Sequence, residues 1–393
     1  MIIRNYLFLL VSVIAIACSD SGQDNPVAVE EPGSQIDLTE ADAWLGNFVA
    51  TETGFDGGSM IIVDKELGVV HKSAFGDHSE DTVVLLASTS KVPTVMLLLA
   101  LAEDDANVDF AMDAPIANYL PWQGVWDEAI TTEHLVSNRS GIPGIFKMRS
   151  NPVSYFPHIC QYESSGTLLS CGEKLYTTPL EDFPSIPSDS AFDYGGSQWH
   201  IAGAVAETVG ETNWNQLWDR YIGQPCGLEV FRYGNFMFFP QSWDGNPANL
   251  IGLNNPNMEG GAISNLDDYA KLIAMHLNDG YCGDNEVLSS ESLRSMREVR
   301  SAPGTLGELS SSYADDLGYG YGMGWITIHE EGDVTPTLFF DPGLWGSISW
   351  IDIEREYGGV VLFDNYSGDA SPAALGVISE LIPRITVAID ATR

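Results

Sequence analysis

Basic residues are scarce in this sequence, since only 17 of its 393 residues are Lys or Arg, against 55 that are Asp or Glu. The formal net charge at pH 7 is therefore −38. A surface with such an excess of carboxylates repels phosphate backbones and anionic lipid headgroups. The composition thus argues against nucleic acid as a partner, while a hydrophobic content of 44% suffices for the core of a globular protein.

Common metal and nucleophile motifs are missing as well. The sequence has no CxxC pair, no HExxH helix and no alternating-aspartate calcium loop, so we expect neither a metal nor another cofactor. A GxSxG turn is also missing, which excludes a Ser-His-Asp hydrolase of the common α/β kind. The seven histidines are scattered, and His134 and His200 fall in helical patterns where we expect packing or surface positions.

The first hydrophobic run is too short to cross a bilayer as a helix. It covers twelve positions from Tyr6 to Ala17 and ends at Cys18. We expect residues 1–17 to be a signal peptide and residues 18–37 a flexible tether. The AIAC stretch resembles a bacterial lipoprotein cleavage box, which predicts a lipidated Cys18 as the sole membrane link of a periplasmic or cell-surface protein. An ordinary secretory peptide is the alternative.

Four cysteines remain after Cys18, and export would permit disulfides between them. Cys160 and Cys171 lie eleven positions apart and bracket a polar loop, so we predict that they pair with each other. Elimination then pairs Cys226 with Cys282. Four buried free thiols are the alternative.

Strand patterns lie at both ends of the chain and helical patterns lie between them. Two β-rich runs around residues 58–76 follow an amphipathic helix, and strand-like runs return from about Tyr319. In the middle, SQWHIAGAVAETVG has an apolar stripe at helical spacing. We therefore expect one domain at 38–393, with a sheet lobe at about 38–112 and 301–393 and a helical lobe at about 113–300.

The stretch VLLASTSKVPTVMLLLA places a serine and a lysine inside a very apolar run. Ser88 and Lys91 are three positions apart, so on a helix their side chains lie within reach of each other. An apolar setting lets a lysine lose its proton, and a neutral lysine can take the proton of a serine hydroxyl. Pro93 is tolerated near a helix start, which places Ser88 at or just before the N-terminus of a helix. A structural lysine in a buried helix is the alternative.

This stretch, together with the YLP segment that follows and the helix ending in NRSGIPG, resembles the serine β-lactamase and penicillin-binding-protein superfamily. The similarity is greatest to the class C-related hydrolases and covers roughly residues 40–385. It implies an α/β plus all-α architecture of the β-lactamase/transpeptidase type. In such a fold an antiparallel sheet built from both chain ends is flanked by helices and carries a mainly helical insertion.

The resemblance implies a set of site residues. Ser88 is the nucleophile, and Lys91 and Tyr194 move the proton, Tyr194 losing its own proton more readily beside a lysine. The family's second motif has asparagine two places after the tyrosine, but here Gly196 stands there, and Ser197 or a backbone group could replace the missing contact with substrate.

The third motif of the family matches Asp341, Pro342 and Gly343 by position. It implies a substrate-binding role for Asp341 and Gly343, and an oxyanion hole formed by the N–H groups of Ser88 and Leu344. Relatives carry a basic residue where Asp341 stands, and an aspartate there would repel a substrate carboxylate.

The sequence therefore predicts an exported serine hydrolase that acts through an acyl-enzyme on a neutral ester or amide. Its substrate is a small molecule or a peptidoglycan fragment. A D,D-peptidase or β-lactamase is the first alternative, and a catalytically silent protein that binds cell-wall fragments is the second. The sequence leaves the oligomeric state open.

Overall fold

The computed structural model describes residues 36–307, 309, 318–329, 335–368 and 370–393. The expectations for the signal peptide, Cys18 and nearly all of the tether lie outside these residues. The helices are Thr39–Thr51 (α1), Lys91–Glu103 (α2), Thr132–Val136 (α3), Ile145–Ser150 (α4), Pro152–Tyr155 (α5), Leu168–Thr177 (α6), Ser197–Val209 (α7), Trp214–Trp218 (α8), Gln224–Cys226 (α9), Leu266–Leu277 (α10), Ser290–Arg297 (α11), Ser371–Gly376 (α12) and Ile382–Asp390 (α13). The strands are Gly57–Asp64 (β1), Gly68–Gly76 (β2), Val84–Leu85 (β3), Arg232–Tyr233 (β4), Ala262–Ser264 (β5), Tyr281–Cys282 (β6), Asn285–Glu286 (β7), Gly318–Tyr321 (β8), Ile326–His329 (β9), Leu338–Pro342 (β10), Ile348–Asp352 (β11) and Tyr357–Phe363 (β12).

The main sheet joins the two ends of the domain, as the sequence predicts. Its seven strands are antiparallel and follow the order β2-β1-β12-β11-β10-β9-β8. Strands β1 and β12, which join the two ends of the domain, are in register from Gly58 opposite Phe363 to Asp64 opposite Tyr357. The main sheet therefore depends on a pair of strands that are distant in sequence.

Both faces of this sheet are covered, which explains why β1 is buried along its whole length. Side chains alternate across a strand. Ile61 and Val63 join the core that contains α10, whereas Met60 and Ile62 join the core that contains α1 and the C-terminal helices. Antiparallel strands covered on both faces have apolar residues at every position, and this is the pattern of the run SMIIV.

The C-terminal helical segment continues past Pro383. A wide π-helical stretch at Val377–Leu381 connects α12 to α13, and Pro383 lies in the first turn of α13. Proline is tolerated in a first turn because its missing N–H would have no partner in the helix there. Within the described residues, 372–390 is the one helix long and apolar enough to cross a membrane, but Leu381, Ile385 and Ile389 pack in the core.

Helix α2 runs through the centre of the molecule. Every residue from Lys91 to Leu101 is buried, so this helix has no solvent face and no polar stripe. The preceding strand β3 pairs with β5, which fixes the chain just before Ser88. The apolar run around the Ser88–Lys91 pair is thus the sequence of a central helix.

Both predicted disulfides are present. Cys160 and Cys171, with Cα atoms 5.7 Å apart, connect the 3₁₀ helix Phe156–Tyr162 to α6. Cys226 and Cys282, with Cα atoms 4.9 Å apart, connect α9 to β6.

We expect the second disulfide to contribute more stability than the first. In the chain-entropy model, closing the 56-residue separation is worth about 4 kcal/mol and closing the 11-residue separation about 3 kcal/mol. The Cys226→Ser/Cys282→Ser double variant should therefore unfold at lower urea concentration than Cys160→Ser/Cys171→Ser. Equal midpoints, or the reverse order, would contradict this ranking.

Candidate active site

Ser88 lies in a tight turn between β3 and α2. The turn is the 3₁₀ helix Ala87–Ser90, and it leads directly into α2. Ala87 has a φ of 49°, a left-handed conformation that costs a residue with a side chain roughly 1–3 kcal/mol. Its neighbour Leu86 donates its N–H to the carbonyl of Ala262 at 2.9 Å, which helps to hold the turn in place. The strained turn presents Ser88, which is only partly buried, to the adjoining pocket.

Lys91 reaches back to Ser88 as the spacing of three predicts. Its Nζ lies 3.0 Å from Ser88 Oγ and 3.0 Å from the carbonyl oxygen of Glu259. The side chain is completely buried. Burial lowers the pKa of Lys91, and the carboxylates of Glu259 and Asp341 oppose this shift. A buried amine with a lowered pKa can accept the hydroxyl proton of the serine beside it.

Tyr194 lines the same pocket as Ser88, close enough for its side chain to interact with that of Ser88. The Lys91 Nζ lies over the tyrosine ring, 4.6 Å from the centroid. Burial, together with the charge of Asp341, raises the pKa of Tyr194 well above its ordinary value. The expectation that Tyr194 loses its proton more readily is therefore wrong, because burial and the charge of Asp341 together raise the pKa of its hydroxyl. Tyr194 enters the site as a neutral hydrogen-bonding hydroxyl.

Glu259 is the site residue that the sequence analysis missed. Its side chain is 3% exposed, and its Oε2 lies 3.6 Å from Lys91 Nζ. Tyr162 donates its hydroxyl to Oε1 at 3.0 Å, and Gly196 donates its N–H to Oε2 at 2.8 Å. The only indication of Glu259 in the sequence is an acidic residue between a methionine and two glycines, in the stretch NMEGG.

The end of β10 lies directly against the Ser88 turn. A Cβ on Gly343 would stand 2.2 Å from the carbonyl oxygen of Leu86, so only glycine permits this approach. Thr89 fastens the two segments by donating its hydroxyl to the carbonyl oxygens of Ser347, at 2.9 Å, and Asp341, at 3.1 Å. This contact places the chain after Gly343 beside Ser88.

A small cavity of about 100 Å³ opens at Ser88. Ser88, Tyr194 and Glu259 supply its polar lining. Arg149 lies at its exposed side, with its guanidinium over the ring of Phe146. The remaining lining residues are mostly apolar: Ala87, Ile145, Phe146, Met237, Gly260, Leu309, Pro342, Gly343, Leu344 and Ala374. Gly343 and Leu344 thus share one pocket with Ser88, as the third motif implies.

The sequence model of the β-lactamase family matches residues 41–377. The chain belongs to the β-lactamase family. A search of curated proteins by sequence gives no match.

Solved structures with the β-lactamase/transpeptidase-like fold superpose on most of the chain. A candidate β-lactamase from Bacteroides dorei is 20% identical, with a TM-score of 0.68 over 89% of this chain and 99% of its own. EstCE1, a hydrolase with promiscuous acyltransferase activity, is 18% identical, with a TM-score of 0.67 over 90% of this chain and 98% of its own. An octameric penicillin-binding-protein homologue from Pyrococcus abyssi is 17% identical, with a TM-score of 0.65 over 88% of this chain and 78% of its own.

The second β-lactamase-family motif lacks its substrate contacts here. Gly196 does not line the pocket, and its N–H is used by Glu259. Ser197 is completely buried, and its Oγ contacts Tyr155 Oη at 3.0 Å and His158 Nδ1 at 2.8 Å. The expectation that Gly196 or Ser197 binds substrate is therefore corrected: both belong to the buried start of α7.

Asp341 also departs from the expectation that it faces the substrate. Its side chain is 1% exposed, and its Oδ2 accepts a hydrogen bond from the N–H of Val92 at 3.2 Å. The first N–H groups of a helix have no partner within the helix, so Asp341 caps α2. Burial raises its pKa well above the ordinary value, against the opposing effect of Lys91. Contact repulsion between Asp341 and a substrate carboxylate is thus excluded by its position.

Restoring the family's asparagine should damage this protein. Gly196 has φ 81° and ψ −153°, a region essentially restricted to glycine, and a Cβ there would stand 2.6 Å from Tyr155 Oη. We expect Gly196→Asn to lower the free energy of unfolding by about 2 kcal/mol or more in urea denaturation.

Gly227→Asn is the matched control for this prediction. Gly227 has φ 62° and ψ 41°, which asparagine tolerates, and no atom lies within 4 Å of the added Cβ. Equal stability of the two variants would contradict the steric argument.

Proposed function

We propose that this protein is a serine hydrolase that forms an acyl-enzyme on Ser88 and acts on a neutral ester or amide. The observation that carries the proposal is the 3.0 Å contact between Ser88 Oγ and the fully buried amine of Lys91. A serine with such a neighbour is an activated nucleophile.

The proposed reaction needs no group beyond this chain, the substrate and water. Ser88 Oγ bonds to the substrate carbonyl carbon while its proton passes to Lys91 Nζ. The N–H groups of Ser88 and Leu344 stabilise the oxyanion. When the bond to the leaving group breaks, the leaving group takes a proton from Lys91 through the Tyr194 hydroxyl, and water then releases the acid and frees Ser88.

The lining of the pocket supports a neutral substrate. Strand β10 offers no cation to a substrate carboxylate, because Asp341 occupies that position and points into the protein. The carboxylate of Glu259 lines the cavity. Arg149 lies at the exposed side, where solvent weakens an ion pair. The apolar lining and the volume of about 100 Å³ suit a short acyl group.

Export is part of the proposal. The hydrophobic run before Cys18 supports a signal peptide. Two disulfides suit an oxidising compartment such as the periplasm or the cell surface.

Two other functions keep some support. A D,D-peptidase or β-lactamase shares the family and the Ser88–Lys91 pair. A silent binding protein is favoured by the loss of the family's contacts at Gly196 and Asp341.

A small neutral fluorophosphonate should add one adduct to the mature domain, at Ser88. Ser88→Ala should gain none in intact-mass spectrometry, and Lys91→Met should be labelled about a hundredfold more slowly or worse, because the base is gone. Ser90→Ala is the control, since Ser90 lies in the same turn but its Oγ accepts a hydrogen bond from the N–H of Ala262. An unlabelled wild type would favour the silent binding protein.

Neutral esters should be better substrates than anionic ones. We expect kcat/KM for p-nitrophenyl butyrate to exceed that for the mono-p-nitrophenyl ester of succinic acid by about tenfold or more, because the anionic ester loses a charge-assisted partner on β10. Nitrocefin, which carries a carboxylate, should turn over slowly for the same reason. Rapid nitrocefin turnover would instead support a β-lactamase.

A further inference from the structure

A second buried charge lies beside the Ser88–Lys91 pair. Glu259 and Lys91 are 3% and 0% exposed, and their Oε2 and Nζ atoms are 3.6 Å apart. The backbone of Glu259 contacts the same amine, since its carbonyl oxygen is 3.0 Å from Nζ. One residue therefore meets the amine with both its main chain and its carboxylate.

This carboxylate is itself firmly held. Tyr162 donates to Oε1 at 3.0 Å, and the N–H of Gly196 donates to Oε2 at 2.8 Å. A Cβ on Gly195 would stand 2.5 Å from Oε2, so Gly195 makes room for the carboxylate while its neighbour Gly196 donates its N–H to it. The YGGS segment, which lacks the family's asparagine side chain, thus binds the carboxylate of a glutamate from another part of the chain.

We propose that Glu259 is a positioning residue for the reaction: its carboxylate, 3.6 Å from Lys91 Nζ, and its carbonyl oxygen, 3.0 Å from the same atom, hold the amine in place at Ser88. This inference rests on the proposed function, because it assigns Glu259 a part in the proton transfer from Ser88 to Lys91. The proton leaves Ser88 Oγ for Nζ as the Oγ–carbon bond forms, and Glu259 neither gains nor loses a proton in that step.

The charge balance around Lys91 fixes the direction of the expected pH effect. The charged and titratable groups that face this amine or act on it are Glu259, Asp341, Tyr194 and, through Glu259, Tyr162, with Arg149 at the exposed side. Burial lowers the pKa of Lys91, and the two carboxylates raise it back. The amine is competent as a base only when neutral, so activity appears as the pH rises through its pKa. Removing the negative charge of Glu259 lowers the pKa of Lys91 further, so the onset of activity must move to lower pH.

The test is the pH dependence of fluorophosphonate labelling of Ser88 in the full mature protein, followed by intact mass. In Glu259→Gln we expect the acidic limb of the plot of labelling rate against pH to move to lower pH. The expected shift is about one to three pH units, the range for loss of an opposite charge at this distance. The plateau rate should fall, because a less basic amine takes the proton less readily. A purely structural role would lower the plateau without moving the limb.

Two further variants separate charge from packing. Glu259→Asp keeps the charge but shortens its reach, so its limb should stay near the wild-type pH while the plateau falls. Tyr162→Phe removes one hydrogen bond to the carboxylate without removing its charge, and its limb should also stay in place. These variants keep the inference testable if Glu259→Gln does not fold.

The outcomes are distinct from those that test the proposed function. A wild type that is labelled at Ser88, with an unshifted limb in Glu259→Gln, would overturn the role of Glu259 and leave the hydrolase intact. A shifted limb in Tyr162→Phe equal to that in Glu259→Gln would also overturn it. A wild type that is unlabelled at every pH would overturn the proposed hydrolase and, with it, this inference.

Discussion

The buried amine of Lys91 is the constraint on which the site depends. Removing an ammonium group from water is costly unless other groups compensate it, and here Ser88, the carbonyl of Glu259 and two carboxylates surround it. Each partner is then constrained in turn. Glu259 needs donors, which Tyr162 and Gly196 provide, and Asp341 needs one, which the start of α2 provides. One buried lysine thus organises four segments of the chain.

The active site also depends on the close approach of backbone segments to one another. Gly343 lets β10 reach the Ser88 turn, and Gly195 leaves space for the carboxylate of Glu259. In both places a side chain would push apart two segments that the site brings together. The glycine that replaces the family's asparagine therefore belongs to a different local packing. In this packing Glu259, from the segment before β5, brings its carboxylate to Lys91. The second family motif is altered, yet Lys91 Nζ still lies 3.0 Å from Ser88 Oγ and from the carbonyl oxygen of Glu259.

Contacts between residues close in sequence were predictable, whereas contacts between residues far apart in sequence were not. The Ser88–Lys91 contact follows from a spacing of three, and the burial of β1 follows from its unbroken apolar run. The family resemblance added the antiparallel arrangement of the sheet and the choice of Tyr194 as a site residue. Glu259 contacts a residue 168 positions away, and Asp341 one 249 positions away, so no periodicity reports either contact. Whether Asp341 faces the substrate or the core depends on which groups fill the space beneath β10, and the sequence does not specify that.

The pairing of β1 with β12 has a consequence for the way this protein matures. One neighbour of β1, strand β2, follows it directly in sequence, but the other, β12, lies at residues 357–363, so the main sheet is completed only after almost the whole chain is available. Contacts of such long sequence separation form slowly, because the intervening loop must first be closed. The Ser88 turn belongs to the first quarter of the chain and the strand that completes its pocket to the last. A nascent chain that has not yet reached β10 therefore lacks the segment that closes one side of the pocket beside Ser88.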